Sequence, residues 1–161
     1  MSTPARTLDA TGLTHLVGYA ASRAALEMRK IFVRHMQPLD LKIVDYCILV
    51  LVARNPQVNQ KQLGQALDIS APNMAVTLDR LVERGWVQRV RSEHDRRAQH
   101  IHLTHAGRDL VERAEAISRT MEDAGLRMLS AAERAMLIEL LLRVAGVAPS
   151  RPALDGPMRD R

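Results

Sequence analysis

Aromatic side chains are scarce in this sequence of 161 residues: one Trp, two Tyr and one Phe make up 2% of it. Proteins that read single-stranded nucleic acid stack bases on several aromatic side chains of one surface. Four aromatic residues spread over the chain cannot form such a surface. The composition therefore argues against stacking on single strands, whereas reading the grooves of a duplex needs no aromatic residue.

Cysteine is nearly absent as well, with Cys47 as the single example. One cysteine excludes an intrachain disulfide and any site built from several thiolates, and it fits a reducing compartment. The longest apolar run, residues 46–53, is far shorter than the roughly 20 residues that span a bilayer. No signal peptide is visible in the first twenty residues. We therefore expect a soluble, cytoplasmic protein.

Motifs of the common enzyme classes are also missing from the sequence. It has no glycine-rich phosphate loop and no Gly-x-Ser-x-Gly elbow. Its acidic residues are scattered rather than clustered. The sequence thus predicts a protein that is not an enzyme, with no catalytic residue, no cofactor and no metal site.

Positive charge, by contrast, is in excess, with 23 Lys and Arg against 18 Asp and Glu and a net charge of +5. Most of the excess lies in one segment, since residues 84–97 hold five arginines and two acidic residues. A local concentration of this kind favours a polyanionic partner.

Hydrophobic periodicity predicts a mainly α-helical fold with one small β-hairpin. Apolar residues recur at helical spacing over residues 13–38. A second helix is predicted over residues 41–54, with Asp40 as its N-cap. Since it is apolar on nearly all sides, we expect it at the centre of the fold.

Two short helices are predicted next, joined by a tight turn at residues 68–70. The first begins with a spacing from Asn59 to Gln62 that resembles a capping box. Ser70 is the predicted cap of the second helix, which stops at Gly85, a residue suited to a left-handed C-cap. Helical spacing points four apolar residues of this helix inward: Met74, Leu78, Leu81 and Val82.

After Gly85 the apolar period changes to two. Residues 86–92 and 97–104 each alternate and are predicted to form a hairpin. Thr104 then caps a predicted helix of about 25 residues. A capping box at Ser130 opens the last helix, whose predicted inner residues are Leu137, Leu140, Leu141 and Val144.

This order of two short helices and a hairpin with a basic tip is typical of a winged helix-turn-helix. The chain resembles the MarR family of winged-helix transcriptional regulators over about residues 13–145. The matching motifs are Gln62-Leu63-Gly64-Gln65-Ala66-Leu67, Ile69-Ser70, Leu78-Asp79-Arg80-Leu81, Gly85-Trp86-Val87, Asp95-Arg96-Arg97, and Leu103-Thr104 with Gly107.

The resemblance implies an obligate homodimer and four segments. These are an N-terminal dimerisation helix (residues 1–38), a DNA-binding lobe (39–104), C-terminal dimerisation helices (105–145) and a flexible tail (146–161). The residue pattern agrees, because a lobe of about 60 residues cannot bury the apolar stripes of the terminal helices, which therefore need a partner. Two-fold symmetry fits a palindromic operator.

The predicted DNA contacts lie at the start and on the outer face of the second short helix and on the hairpin: Ser70, Ala71, Pro72, Asn73, Val76, Thr77, Arg80, Arg91, Asp95, Arg96 and Arg97. Asn73 is suited to adenine in the major groove, and Ala71, Pro72 and Val76 offer only apolar contact, so DNA shape is expected to add specificity. Arg80 and Arg91 are expected to contact phosphates. In the family a wing arginine enters the minor groove, and either Arg96 or Arg97 matches it. Asp95 is expected to hold the wing turn.

Three further residue groups have competing interpretations. His100, His102 and His105 suggest a metal site, but a solvated wing face explains them better. Cys47 is either a redox switch or, as its apolar helix favours, a small core residue.

His35, Asp45 and Tyr46 lie where the first two helices meet. In the family, small phenolic or other aromatic effectors bind between the dimer helices and the winged lobe, so these three residues are the candidate effector site. The competing interpretation is that Tyr46 is a core residue and that His35 lies at an exposed helix end. We predict a sequence-specific regulator, most simply a repressor released by a small ligand. The alternative is a non-specific architectural DNA-binding protein, which has no preferred palindrome.

Overall fold

The computed structural model describes residues 8–91 and 99–147. Within them lie six α-helices and one antiparallel hairpin: α1 (Val17–Met36), α2 (Ile43–Arg54), α3 (Gln60–Leu67), α4 (Ala71–Glu83), β1 (Val87–Arg91), β2 (Gln99–Leu103), α5 (His105–Ser118) and α6 (Ala131–Val144). The mainly α fold with a hairpin wing is confirmed. The chain divides after Glu122 into two compact units.

The connection between α1 and α2 differs from the prediction. A short 3-10 turn, Gln37–Leu39, follows α1, and Asp40 after it has a left-handed backbone with φ of 47°. Lys42, in extended conformation, occupies the N-cap position of α2. The prediction that Asp40 caps α2 is wrong, because Asp40 instead reverses the chain direction at the end of the 3-10 turn.

Helix α2 lies at the centre of the first unit, as its apolar composition predicts. Ile48 and Leu49 are fully buried. The other elements contribute apolar side chains to the same core: Phe32 and Met36 from α1, Leu63 from α3, Met74, Leu78 and Leu81 from α4, Val87 and Ile101 from the hairpin, and Leu110 and Ala114 from α5. Burial of each large side chain contributes roughly 1.5–3 kcal/mol, so the helix-turn-helix and the wing are held by one shared core.

The predicted ends of the two short helices are confirmed in part. Asn59 and Gln62 form a full capping box at the start of α3, with both hydrogen bonds 2.9 Å long. Gly85, with φ of +69°, ends α4 in the left-handed conformation. Ser70 occupies the N-cap position of α4, but its side chain makes no capping hydrogen bond.

The hairpin is anchored to the preceding helices through β2. Its register pairs Val87 with Leu103 and Arg91 with Gln99. The backbone N–H of Ile101 donates to the carbonyl of Val58, 2.8 Å away, which ties β2 to the α2–α3 connection. As predicted, Ile101 and Leu103 are buried on one face of the strand.

The start of α5 is packed against the foot of the wing. Thr104 caps α5 through its bond with the N–H of Gly107, as predicted. A Cβ at position 107 would lie 2.0 Å from the carbonyl oxygen of Trp86, closer than two non-bonded atoms approach. Only glycine therefore permits this contact, which gives a physical reason for the Leu-Thr-x-x-Gly motif.

The helix predicted after Thr104 is shorter than expected. It ends at Ser118, and residues 119–129 form turns. Asp123 and Gly125 have weak helix propensity, which disfavours one continuous helix as far as Ser130. In the second unit, the predicted capping box of Ser130 and Glu133 begins α6.

Helix α6 carries a long exposed apolar surface. None of its residues is buried, although residues 136, 137, 138, 140, 141 and 144 are all apolar. The four residues predicted to face inward are instead exposed within one chain, from 38% at Leu137 to 77% at Val144. Apolar area of this extent marks an interaction surface.

In the described part of the chain, no helix has the length and apolar character needed to cross a bilayer.

Candidate nucleic-acid interface

Helix α4 presents its first turn to solvent. Its inner face is formed by Met74, Leu78 and Leu81, which are all fully buried. Val82, predicted to point inward with them, is 38% exposed, so that part of the prediction is wrong. The opposite side is open, and Val76 is 68% exposed. An exposed helix of this kind has the dimensions to enter the major groove of a duplex.

The predicted base-contacting residues are gathered at the N-terminal end of α4. Ala71, Pro72 and Asn73 are exposed, as is Ser70 before them. Thr77 is half-buried, and its hydroxyl donates to the backbone carbonyl of Asn73, 2.8 Å away. The structure therefore brings Ser70 to Asn73 and Val76 together on one accessible surface, with Thr77 at its border.

Arg80 does not extend freely into solvent. Its guanidinium forms two hydrogen bonds with the carboxylate of Asp45, at 2.6 and 3.0 Å. Asp45 is fully buried in the first turn of α2, and the Arg80 side chain is 33% exposed. The arginine predicted to contact phosphate and the aspartate predicted to contact an effector are thus partners of each other.

Two arginines of the basic segment, residues 84–97, are paired as well. Arg84 donates to the Asp40 carboxylate at 2.7 Å, and its guanidinium lies 3.8 Å from the centre of the Trp86 ring. Arg89 donates to Asp79 at 2.7 Å. The positive charge of the segment is therefore lower than the residue count indicates.

The remaining arginine of β1, Arg91, is exposed at the last position of the strand. This position suits the predicted phosphate contact. Asp95, Arg96 and Arg97 lie outside the described residues, so their assigned roles stay predictions.

A cavity of about 660 Å³ lies beside α4. Its walls are formed by α1, the start of α2 and one side of α4. The lining includes Arg29, Val33, Lys42, Ile43, Asn73 and Arg80. The walls thus combine apolar side chains with three cations. Such a lining suits a ligand that has an apolar body and an anionic group.

None of the three residues predicted to contact an effector is among the residues that line this cavity. They make contacts within the chain, and their assignment to an effector stays a prediction. The hydroxyl of Tyr46 donates to Ser118 Oγ at 3.0 Å, while Nδ1 of His35 lies 2.9 Å from the carbonyl oxygen of Ile31. Asp45 reaches the cavity only through Arg80.

Cys47 has the properties of a core residue. It is only partly accessible, and burial raises the pKa of its thiol. A raised pKa keeps the thiol protonated near neutral pH, where a redox switch needs the thiolate. The core interpretation is therefore the better supported one.

The three histidines considered as metal ligands make separate contacts. His100 Nδ1 lies against the carbonyl of Gln57, and His105 pairs with Asp109 at 3.4 Å. Within residues 8–91 and 99–147, no three His, Cys, Asp or Glu side chains lie close enough to hold a metal ion.

Sequence reasoning missed two features of this region. It did not identify the Asp45–Arg80 pair, although an acidic residue inside an apolar helix signals a buried ion pair of unknown partner. It also missed Arg29, Val33 and Lys42 as cavity residues, for which the sequence has no local signal because the cavity forms only when three helices meet.

The arrangement of α3, α4 and the hairpin defines a winged helix-turn-helix protein. A sequence model of the MarR family matches residues 39–98. The fold is similar to that of the transcriptional repressor CouR bound to a 23-mer DNA duplex, with 34% identity and a TM-score of 0.81 over 86% of this chain and 99% of that one. CouR bound to p-coumaroyl-CoA matches with 32% identity and a TM-score of 0.77, over 86% and 98% of the two chains.

A MarR variant from E. coli complexed with operator DNA shares the fold, with 23% identity and a TM-score of 0.73 over 80% of this chain and 92% of that one. The chain belongs to the MarR family, whose members are DNA-binding transcription regulators. The resemblance identified from the sequence motifs is thus confirmed. Transcription regulators of this kind are not enzymes.

Proposed function

We propose that this protein is a repressor that binds a palindromic operator as a homodimer and is released from it by a small ligand. The observation that carries the proposal is the exposed first turn of α4, held on a wing-bearing core. The likeness to CouR, a repressor bound to duplex DNA, supports the same function.

A dimer is supported by the apolar surface of the terminal helices. On α1, Val17 is 71% exposed and Val33 58% exposed, and α6 has the apolar surface described above. Isologous packing of two chains covers such surfaces. It also sets two copies of α4 about one DNA turn, roughly 34–36 Å, apart.

DNA contacts are assigned to the exposed residues of α4 and to the wing. Asn73 has the side chain suited to an adenine edge, and Ser70 and Arg91 are proposed to contact phosphates. The apolar Ala71, Pro72 and Val76 contact thymine methyl groups. Either Arg96 or Arg97 is proposed to enter the minor groove, and Asp95 is proposed to hold the turn.

Selection of random duplex DNA by the purified protein tests this function. We expect a palindrome that is bound at least ~10³-fold more tightly than scrambled DNA at physiological salt. Selection with Asn73→Ala should recover a palindrome with altered bases at one position of each half-site, because the bidentate contact to one base is lost. Equal binding to all duplexes contradicts the proposal and favours an architectural protein.

The proposed effector is the coenzyme A thioester of an aromatic acid. This class matches the lining of the cavity beside α4, which offers Val33 and Ile43 to an apolar body and Arg29 and Lys42 to anionic groups. CouR, at 32% identity, binds p-coumaroyl-CoA, which supports the same ligand class.

Thermal unfolding measures this binding directly. At 100 times its dissociation constant a ligand adds about 2.7 kcal/mol, so p-coumaroyl-CoA should raise Tm by about 5 °C or more. We expect Lys42→Ala to reduce the shift, whereas Lys61→Ala, the same change on α3, should not. An unchanged Tm at saturating thioester, with free p-coumarate and coenzyme A also inactive, excludes this ligand class.

A further inference from the structure

Within the described residues, Arg80 is the hydrogen-bond partner of the Asp45 carboxylate, and the pair joins α2 to α4. Asp45 has no exposed surface, and both of its oxygens accept from the same guanidinium, at 2.6 and 3.0 Å. A buried carboxylate is stable only with a fixed, hydrogen-bonded partner. Because the two bonds form a planar fork, they fix the orientation of Arg80 as well as its distance.

The apolar contacts of α4 restrain its rotation less sharply than the ion pair does. Met74, Leu78 and Leu81 hold the helix against the core, but apolar attraction has no preferred direction. Side-chain tips of a helix lie roughly 5–6 Å from its axis, so a rotation of about 10° moves them by about 1 Å. A displacement of this size breaks a hydrogen bond to a base edge.

Arg80 and Asn73 are seven residues apart, which places them two turns apart on the same side of α4. Both residues line the cavity beside α4. Fixing the guanidinium of Arg80 therefore fixes the direction in which the first turn of the helix presents Asn73.

We propose that Asp45 is a positioning residue for DNA reading, which acts by fixing the rotation of α4 through Arg80. In this role the charge of Arg80 is neutralised by Asp45, and Arg80 is not a phosphate contact. The proposal rests on the proposed function, since it requires α4 to read a preferred duplex.

Arg80→Lys separates positioning from phosphate binding. Lysine keeps the charge opposite Asp45 and binds phosphate well, but it cannot form the planar fork. We expect the ratio of affinities for the selected palindrome and a scrambled duplex to fall about tenfold, the size of one lost base contact. Arg113→Lys, the same change at an exposed position of α5, should leave the ratio unchanged.

The double variant Asp45→Asn/Arg80→Gln removes both charges and leaves no unpaired buried ion. It therefore tests the positioning role even if Arg80→Lys does not fold. Its affinity ratio should fall similarly, while the slope of log K against log salt stays at the wild-type value. A phosphate role for Arg80 predicts instead that the slope falls by ~0.9 per protomer.

Each result bears on one proposal. A retained affinity ratio in a folded variant, or a lower salt slope in the double variant, overturns the positioning role of Asp45. If the wild-type protein selects no duplex, the proposed repressor function itself fails, which is a different outcome from selection that survives the loss of the fork.

Discussion

Replacing Leu137 and Leu141 together by lysine should yield a monomer that binds its palindrome about 10²-fold or more weakly. The two leucines are one turn apart on α6 and are 38% and 44% exposed. If a second chain covers them, two charges in that contact prevent association. Each half-site is then bound alone, and the avidity of paired lobes, typically 10²–10⁴-fold, is lost.

Lysine makes this test stringent, because added positive charge by itself strengthens attraction to DNA. A fall in affinity therefore cannot come from electrostatics. Ala135→Lys adds a charge to the opposite side of the same helix and should leave both mass and affinity at wild-type values. Sedimentation and operator titration measure the two properties. A double variant that sediments as a dimer rules out this surface as the interface.

The double variant Arg96→Ala/Arg97→Ala should also lose much of its affinity for DNA. We expect the loss to appear as a weaker salt dependence of binding. Each phosphate contact contributes ~0.9 to the slope of log K against log salt. Two arginines in each of two wings therefore lower the slope by up to ~3.6. Affinity should fall across all sequences, and further for A·T-rich minor grooves, where an inserted arginine gains most.

Arg113→Ala/Arg119→Ala removes the same charge from two exposed positions, one on α5 and one directly after it, and serves as the control. Titrations between low and physiological salt distinguish the two variants. Equal slopes for the two variants indicate that the wing arginines contribute only general charge, and the assignment of the wing to the DNA then fails.

Local chemistry made much of the fold predictable from the sequence. Asn59 with Gln62, Ser130 with Glu133, and Gly85 each determine a helix end through neighbours within a few residues. The alternation that placed Ile101 inside the hairpin is equally local. Prediction failed where a local preference was overruled, as at Asp40, which has the side chain of a helix cap but is drawn into a pair with Arg84.

The candidate site was less predictable, because its parts are distant in sequence. Asp45 and Arg80 are 35 residues apart, and no periodicity relates them. The sequence interpretation assigned Asp45 to an effector site and Arg80 to a phosphate, and it had no means of relating the two residues to each other. Only the packing of α4 on α2 shows that the two polar groups satisfy each other.

The missing side chain at Gly107 has a mechanical consequence. With no clearance between the first turn of α5 and the Trp86 carbonyl, the hairpin cannot swing as a separate arm. A tilt of α5 therefore moves the base of the hairpin with it. If two chains pair as proposed, a ligand that shifts α5 would therefore also shift the base of the hairpin in the same chain.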